Sequence, residues 1–273
     1  MLFELDSEGR SVLRKLERQT PIIVQQELYF DEAMPTMPCV YLLSSGGPNV
    51  DGDRYEHHIT LRRNAFAHIS TGAATKLAEM HSDYSSLVQT FELESGAYLE
   101  YLPEPTIPCR HTRYIATTQM VIDPSATLFF AEIYLSGRRY KRGGEHWVFD
   151  LLSIATSASR PDGERLFDER MVIEPSRHTP DSLGAMGHWS ILGSCFLLAP
   201  EQTSEAVYSQ ITSKLDHQNM LAIGATRLPS HCGLMFRVLG NDTATVKRAI
   251  RDLCSVVRRE VKGCALPDEF PWR

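Results

Sequence analysis

Apolar and polar residues alternate with a period of two over most of residues 20–240, and this alternation restricts the chain to a β-rich fold. In Tyr55–Leu61 it places Tyr55, His57, Ile59 and Leu61 on one face of a strand. Further strand-length runs rich in branched and aromatic residues are Ala65–Thr71, Leu87–Leu93, Ala97–Leu102, Tyr114–Ile122, Thr127–Leu135, Trp147–Leu152, Leu166–Ile173, Trp189–Leu198, Met220–Thr226 and Gly233–Val238.

Turn-forming residues separate these runs. Ser95-Gly96, Asp123-Pro124 and Gly143-Gly144 are examples, and such turns recur about every 8–12 residues, a spacing typical of antiparallel, mainly β proteins. A sheet of βαβ units would need a crossover helix between strands, and the intervals are too short for one. We therefore expect one mainly β domain over residues 1–273, with its β-rich part in residues 1–240.

Two helices are predicted in the C-terminal part. The first would begin near Pro200, since Val207, Ile211 and Leu215 recur at helical spacing. The second is expected over about residues 243–262, after a cap at Asp242 or Thr243 and before Gly263. Its apolar stripe, which we expect to face the core, is Val246, Ile250, Leu253, Val257 and Val261.

Composition excludes several classes of protein. With 273 residues, 42% of them hydrophobic, the chain can bury a core and is not disordered. A net charge of −6 argues against nucleic acid as the main ligand. The longest apolar run, Ile191–Ala199, is too short to span a membrane, and the acidic start does not resemble a signal peptide. We expect a soluble, cytoplasmic protein whose scattered cysteines are buried thiols.

No enzyme motif is complete. Gly47–Gly52 has the glycine spacing of a phosphate loop, but Asp53 and Arg54 follow where lysine and serine or threonine are required. The nucleophile-elbow and zinc-protease motifs are absent from the sequence, although a catalytic triad assembled only in the fold stays open. His57 and His58 are neighbours on a strand, so they face opposite sides and cannot easily share one ion.

Segments along nearly the whole chain resemble the urease accessory protein D family (UreD, also called UreH). The paired signature of that family is similar to Gly46–Arg54 followed by Ser70–Lys76. Other matches, in the order of the family, are Gly9–Leu13, Pro21–Gln25, Tyr98–Pro105, Glu132–Arg138, Gly144-Glu145, Gly187–Trp189 and Gly224–Gly240. We expect a structural role for the motif residues Gly46, Gly47, Gly52, Arg54, Thr75, Lys76, Gly137 and Arg138.

This resemblance implies a fold and a function. The fold would be a largely β, helix-like stack of strands with two helices. The function would be that of a non-enzymatic scaffold and metallochaperone, which docks on apo-urease with UreF and the GTPase UreG and assists nickel insertion. No tightly bound cofactor is implied, only transient Ni²⁺. Two alternatives stay open: a hydrolase whose site forms only in the fold, and a binding scaffold without metal contact.

Glu100 and Glu132 are the main candidates for contact with nickel. Each lies on a predicted strand between large apolar residues of its own face, where a solvated carboxylate is not expected. Either an arginine pairs with each carboxylate, with Arg113 and Arg138 as candidates, or the carboxylates line a wet internal passage. Asp53 is a third candidate oxygen ligand for such a passage.

The basic face of the C-terminal helix is the candidate partner surface. Arg251 and Arg258 lie away from the predicted apolar stripe. We expect them to remain exposed and to contact UreF, the partner that the resemblance implies.

Overall fold

The computed structural model describes residues 1–267. The one-domain assignment of residues 1–273 stays a prediction, and its last six residues lie outside the described part. The strands are β1 (Leu2–Leu5), β2 (Ser11–Lys15), β3 (Ile22–Ile23), β4 (Cys39–Ser44), β5 (Arg54–Leu61), β6 (Phe66–Thr71), β7 (Thr75–Leu77), β8 (Ser85–Leu93), β9 (Tyr98–Tyr101), β10 (Thr106–Pro108), β11 (Arg113–Ile122), β12 (Thr127–Leu135), β13 (Leu151–Ser159), β14 (Arg165–Ile173), β15 (Ile191–Leu198), β16 (Lys214–Asp216), β17 (Leu221–Arg227) and β18 (Gly233–Gly240). The helices are α1 (Glu201–Gln210), α2 (Thr243–Lys262) and a short 3₁₀ turn, Pro229–His231.

The strands form two sheets. The smaller sheet has the order β14-β13-β11-β8-β5-β1-β2, and the larger has the order β16-β17-β18-β15-β12-β9-β6-β4-β3, with β7 and β10 attached beside β12. Between β5 and β13 the chain moves repeatedly from one sheet to the other, so that each coil adds a strand to both. The prediction of a mainly β, helix-like stack with two C-terminal helices is confirmed.

Strand direction is mixed, which differs from the antiparallel pairing expected from turn spacing alone. The central pairs β5–β8, β8–β11 and β11–β13 are parallel, as are β6–β9 and β9–β12. Antiparallel pairs such as β13–β14, β12–β15 and β15–β18 join the later strands. A strand of the opposite sheet serves as the crossover between parallel strands, so no crossover helix is needed.

The larger sheet is buried on both faces. Phe130 of β12 packs into a cluster between the two sheets, whereas its neighbour Phe129 packs into a second cluster with Val246 and Val257 of α2. Residues of β12 therefore alternate between a sheet-facing and a helix-facing layer. This alternation decides which candidate carboxylates face the interior of the stack.

Helix α2 agrees with its sequence pattern. The Asp242 side chain accepts a hydrogen bond from the Thr245 backbone N–H at 2.8 Å, and Gly263 ends the helix in the left-handed conformation with φ of 72°. Among the stripe residues, Val246, Ile250, Leu253 and Val257 are buried and Val261 is partly buried. The predicted cap, stripe and end of this helix are confirmed.

Two local predictions are wrong. Helix α1 ends at Gln210 because Ile211 is extended (φ −100°, ψ 122°), and Leu215 lies on β16 with 56% of its surface exposed. Trp147 has a φ of 52°, so the predicted strand Trp147–Leu152 is replaced by β13, which begins at Leu151.

The six cysteines are free thiols. Five are buried and Cys264 is partly buried, which agrees with the expectation of buried thiols. In residues 1–267, none of the helices is both long and apolar enough to cross a membrane.

Candidate functional site

A cavity of about 440 Å³ lies between the two sheets, and we call it the inner cavity. Strands of the smaller sheet contribute His57 and Gln89 to its wall, and strands of the larger sheet contribute Tyr101, Glu132 and Tyr134. Apolar and polar side chains thus share an internal space large enough for several water molecules.

Glu132 is the buried carboxylate of this cavity. It is 7% exposed, and its Oε1 accepts a hydrogen bond from Gln89 Nε2 at 3.3 Å. Burial raises the pKa of Glu132 to about 7, although hydrogen bonds from Tyr134 and Gln89 oppose the shift. Within residues 1–267 it forms no salt bridge. A carboxyl group that ionises near neutral pH therefore lies on the cavity wall.

A row of polar side chains crosses the smaller sheet at the level of the cavity. Each of its members lies directly opposite the next one on the adjacent strand. In the order of the strands β5, β8, β11, β13 and β14, they are His57, Gln89, Thr118, Thr156 and Glu169. Gln89 Nε2 donates to Thr118 Oγ1 at 3.1 Å, so these two neighbours in the row are directly connected. We call these five residues the polar row.

The larger sheet carries a matching set. Glu132 is the register partner of Ser194, and Ser194 of Arg237. The Arg237 guanidinium donates to Ser194 Oγ and forms a salt bridge with Glu169 of the polar row. Because Gln89 also bonds to Glu132, polar contacts join the two sheets through the interior of the stack.

Glu100 belongs to the opposite face of the larger sheet. Its two oxygens accept hydrogen bonds from Arg258 of α2, both at 2.6 Å, and from His68 Nδ1 at 2.8 Å. Arg258 also donates to Asp31. Burial alone would raise the pKa of Glu100, but the hydrogen bonds from Arg258 and His68 lower it to about 2. We call Asp31, His68, Glu100 and Arg258 the buried ion network.

The arginines predicted as partners of the two carboxylates are the wrong ones. Arg113 Nε donates to the backbone oxygen of Asp83 at 2.9 Å. Arg138 binds Glu145 through two hydrogen bonds of 2.8 and 2.6 Å. The actual partner of Glu100 comes from α2, far away in the sequence, and for Glu100 the pairing alternative is the one observed.

Arg258 is fully buried, so the prediction that it is exposed for a partner is wrong. Arg258 lies one helical turn after Cys254, on the flank of the apolar stripe that faces the larger sheet. There its guanidinium binds the carboxylates of Asp31 and Glu100. Arg251 is partly buried, and its Nη2 donates to the backbone oxygen of Pro267 at 2.5 Å. Its role in partner binding stays a prediction.

The first signature segment is held by its own side chains. Asp53 Oδ2 accepts from the Val50 backbone N–H at 2.8 Å and from the Tyr55 hydroxyl at 3.0 Å. Arg54 Nη2 donates to both carboxylate oxygens of Asp83, at 3.1 and 3.0 Å. The Asp53 and Arg54 side chains therefore do not pair with each other; each fixes the loop to a different neighbour.

The two signature segments meet at the inner cavity. The Asn49 backbone N–H donates to the oxygen of Lys76, and the Ala78 N–H donates to the oxygen of Asn49, both at 2.8 Å. Gly47, Thr75 and Lys76 line the cavity, and Lys76 is exposed. These segments therefore form the part of the wall that reaches the protein surface.

Glycine is required at some motif positions and not at others. Gly47 and Gly52 have φ of 79° and 87°, as expected for turns that other residues rarely adopt, whereas Gly46 does not have a positive φ. Gly137 has φ of 140°, and a Cβ there would lie 2.5 Å from the Glu145 backbone oxygen. A larger residue at position 137 would therefore press on the backbone of Glu145, the partner of Arg138.

Sequence reasoning missed the place of His57 in the site. As predicted, His57 and His58 point to opposite faces: His58 is exposed and contacts Glu56 at 2.7 Å, whereas His57 lines the inner cavity. Burial lowers the pKa of His57 to about 4, with Gln89 opposing the shift, so the ring is neutral at pH 7. The alternation of Tyr55–Leu61 already placed this ring on the inward face.

No group of three or more histidine, cysteine, aspartate or glutamate side chains within residues 1–267 is arranged to hold a metal ion.

Comparison with known proteins identifies the family. The family model described as UreD urease accessory protein matches residues 2–273. A protein named urease accessory protein UreD 2 from Brucella suis is 41% identical over 96% of this chain and 87% of its own length. Urease accessory protein UreD from Photorhabdus laumondii is 40% identical over 97% of this chain and 82% of its own length. The protein of the same name from Yersinia enterocolitica is 39% identical over 97% of this chain and 83% of its own length. The chain belongs to the UreD family of urease accessory proteins.

Proposed function

We propose that this chain is a non-enzymatic, cytoplasmic maturation factor that docks on apo-urease with UreF and UreG and assists nickel insertion. Membership in a family of urease accessory proteins supports a role in urease maturation. The partners and the nickel step go beyond that membership, and the geometry of the inner cavity is what supports the nickel step.

The position of Glu132 carries the proposal. Carboxylate oxygens and imidazole nitrogens bind nickel, and a site with few such ligands releases the ion more readily than one with three or four. Glu132 has no arginine partner in the described residues and lies on a cavity wall that continues to the surface at Gly47 and Lys76. In this proposal Glu132 contacts nickel, Glu100 secures α2, and Asp53 shapes the cavity mouth.

Replacing Glu132 by glutamine tests the nickel step, because this change removes the charge and keeps the shape. Glu92→Gln is the matched control, since Glu92 is an exposed carboxylate on β8 that contacts Thr60. Each variant is co-expressed with the urease subunits, UreF and UreG. We expect E132Q to co-purify with these partners as the wild type does and to lower urease activation several-fold at limiting nickel, whereas E92Q leaves both unchanged.

Two results would argue against this proposal. Full activation with E132Q would remove Glu132 from nickel transfer and favour a scaffold without metal contact. Loss of the complex together with loss of activation would assign Glu132 a structural role.

We propose that UreF contacts the exposed basic residues of α2 around Arg251. Arg248 and Arg259 are exposed on this helix. Reversing both to glutamate is expected to weaken the pull-down of UreF while the melting temperature stays nearly unchanged. Undiminished pull-down would place the UreF contact elsewhere.

A further inference from the structure

His57 is a partly buried residue whose two ring nitrogens are themselves buried. Among residues 1–267 neither Nδ1 nor Nε2 has a partner at hydrogen-bonding distance and angle, although the neighbouring Gln89 side chain acts to raise the pKa of the ring. Its register neighbour Gln89 instead donates to Thr118 and Glu132 and accepts from Tyr101. Buried ring nitrogens of this kind are normally satisfied by a partner, and water or an ion can supply it here.

The ring lies in a wall shared by two cavities. One is the inner cavity, with Glu132 on its wall. The other has a volume of about 490 Å³ and is lined by Met1, by residues 16–22 and by residues 54–58; we call it the N-terminal cavity. His57, Tyr55, Ile22 and Leu42 line both. Of these four, only His57 carries a metal-binding nitrogen.

We propose that His57 is a ligand through which a borderline divalent cation, such as Ni²⁺, passes between the N-terminal cavity and the inner cavity. The inference rests on the proposed function, and it names the nitrogen ligand of the same route. Mg²⁺ and Ca²⁺ prefer oxygen ligands, whereas imidazole binds nickel, zinc and copper well. A single imidazole in the shared wall would therefore favour nickel over the hard cations that compete for Glu132.

The test uses the purified full-length chain and Ni²⁺ alone as the probe. H57L removes the imidazole, and H58L is the matched control, since His58 is the exposed neighbour on the same strand. In equilibrium dialysis we expect H57L to weaken Ni²⁺ binding by about tenfold or more, at least the loss that follows removal of a group supporting a metal ligand. H58L should change it less than twofold, and neither variant should change Mg²⁺ binding.

Stability separates a ligand from a structural histidine. Because neither ring nitrogen of His57 has a well-formed hydrogen bond within the part of the chain that the structure describes, H57L is expected to keep or raise the melting temperature. If H57L instead lowers the melting temperature and leaves Ni²⁺ binding unchanged, a bound water satisfies the ring and the inference is overturned. Should H57L not fold, H57Q replaces it, and the nickel K-edge spectrum of the wild-type chain must show an imidazole ligand that H57Q lacks.

Urease activation distinguishes this inference from the proposed function. If E132Q lowers activation and H57L does not, the inference fails and the proposed function stands. If neither variant lowers activation, the proposed function fails as well.

Discussion

Replacing Arg258 by methionine would remove the arginine that bonds to both Glu100 and Asp31. Arg258, Glu100 and Asp31 are all buried, with exposures of 0%, 0% and 1%. Methionine keeps much of the side-chain length and removes the charge. The change would leave two carboxylates in a layer of apolar side chains between the larger sheet and α2.

The expected loss of stability is large. Breaking a buried ion pair by removing one partner typically destabilises a protein by about 3–5 kcal/mol, because an uncompensated charge stays buried. The pKa of Glu100 gives a similar figure: a shift from 4.5 to about 2 corresponds to about 3 kcal/mol of stability at neutral pH. R258M should therefore lower the free energy of unfolding by about 3–5 kcal/mol.

Urea denaturation at pH 7 measures this loss, with R248M as the control. Arg248 is exposed on the same helix, so R248M should change stability by less than about 0.5 kcal/mol. The pKa of Glu100 is lowered by folding, so its contribution is present above pH 4.5 and is lost as pH falls towards 2. The difference between the wild type and R258M should therefore shrink in acid. A loss below about 1 kcal/mol at pH 7 would refute the description of a desolvated ion network.

Three further changes test other features. Folding raises the pKa of Glu132 from 4.5 to about 7. E132Q should therefore be more stable than the wild type by about 3 kcal/mol at pH 8 and by much less at pH 5. Urea denaturation measures the gain at each pH, and an equal gain at both would contradict the assigned burial. G137A places a Cβ 2.5 Å from the Glu145 backbone oxygen and should lower the melting temperature, whereas G224A, with open space around it, should change it little. D242A removes the α2 cap and should lose about 1 kcal/mol in urea denaturation, and an unchanged midpoint would show that the cap does not contribute.

Local sequence patterns predict the elements of this fold well. The bounds of β12, Thr127–Leu135, agree with the sequence prediction, and so do the Asp242 cap and the Gly263 end of α2. Alternation and capping depend on residues that are close together in the chain, so they can be recognised in a single sequence. Whether two neighbouring strands run parallel or antiparallel depends on which strands, often distant in the sequence, pair with each other. The spacing of turns does not contain that information, so the parallel pairs were not predicted.

The candidate site was only partly predictable for the same reason. Alternation identified Glu100 and Glu132 as unusual carboxylates, but it could not tell that one faces α2 and the other faces the opposite sheet. The arginine that binds Glu100 is 158 residues away. The sequence pattern placed Arg258 away from the apolar stripe of α2, where a basic residue is usually solvated, whereas in the structure it lies on the flank of that stripe and is buried.

The polar row restricts where insertions and deletions can be tolerated. Its members share one level of the stack only because β5, β8, β11, β13 and β14 are aligned residue by residue. One residue added within β8 would turn either Gln89 or the rest of that strand to the outer face, because successive side chains alternate. Residues added in the turns between coils leave this alignment intact. Length variation among functional relatives should therefore concentrate in the turns.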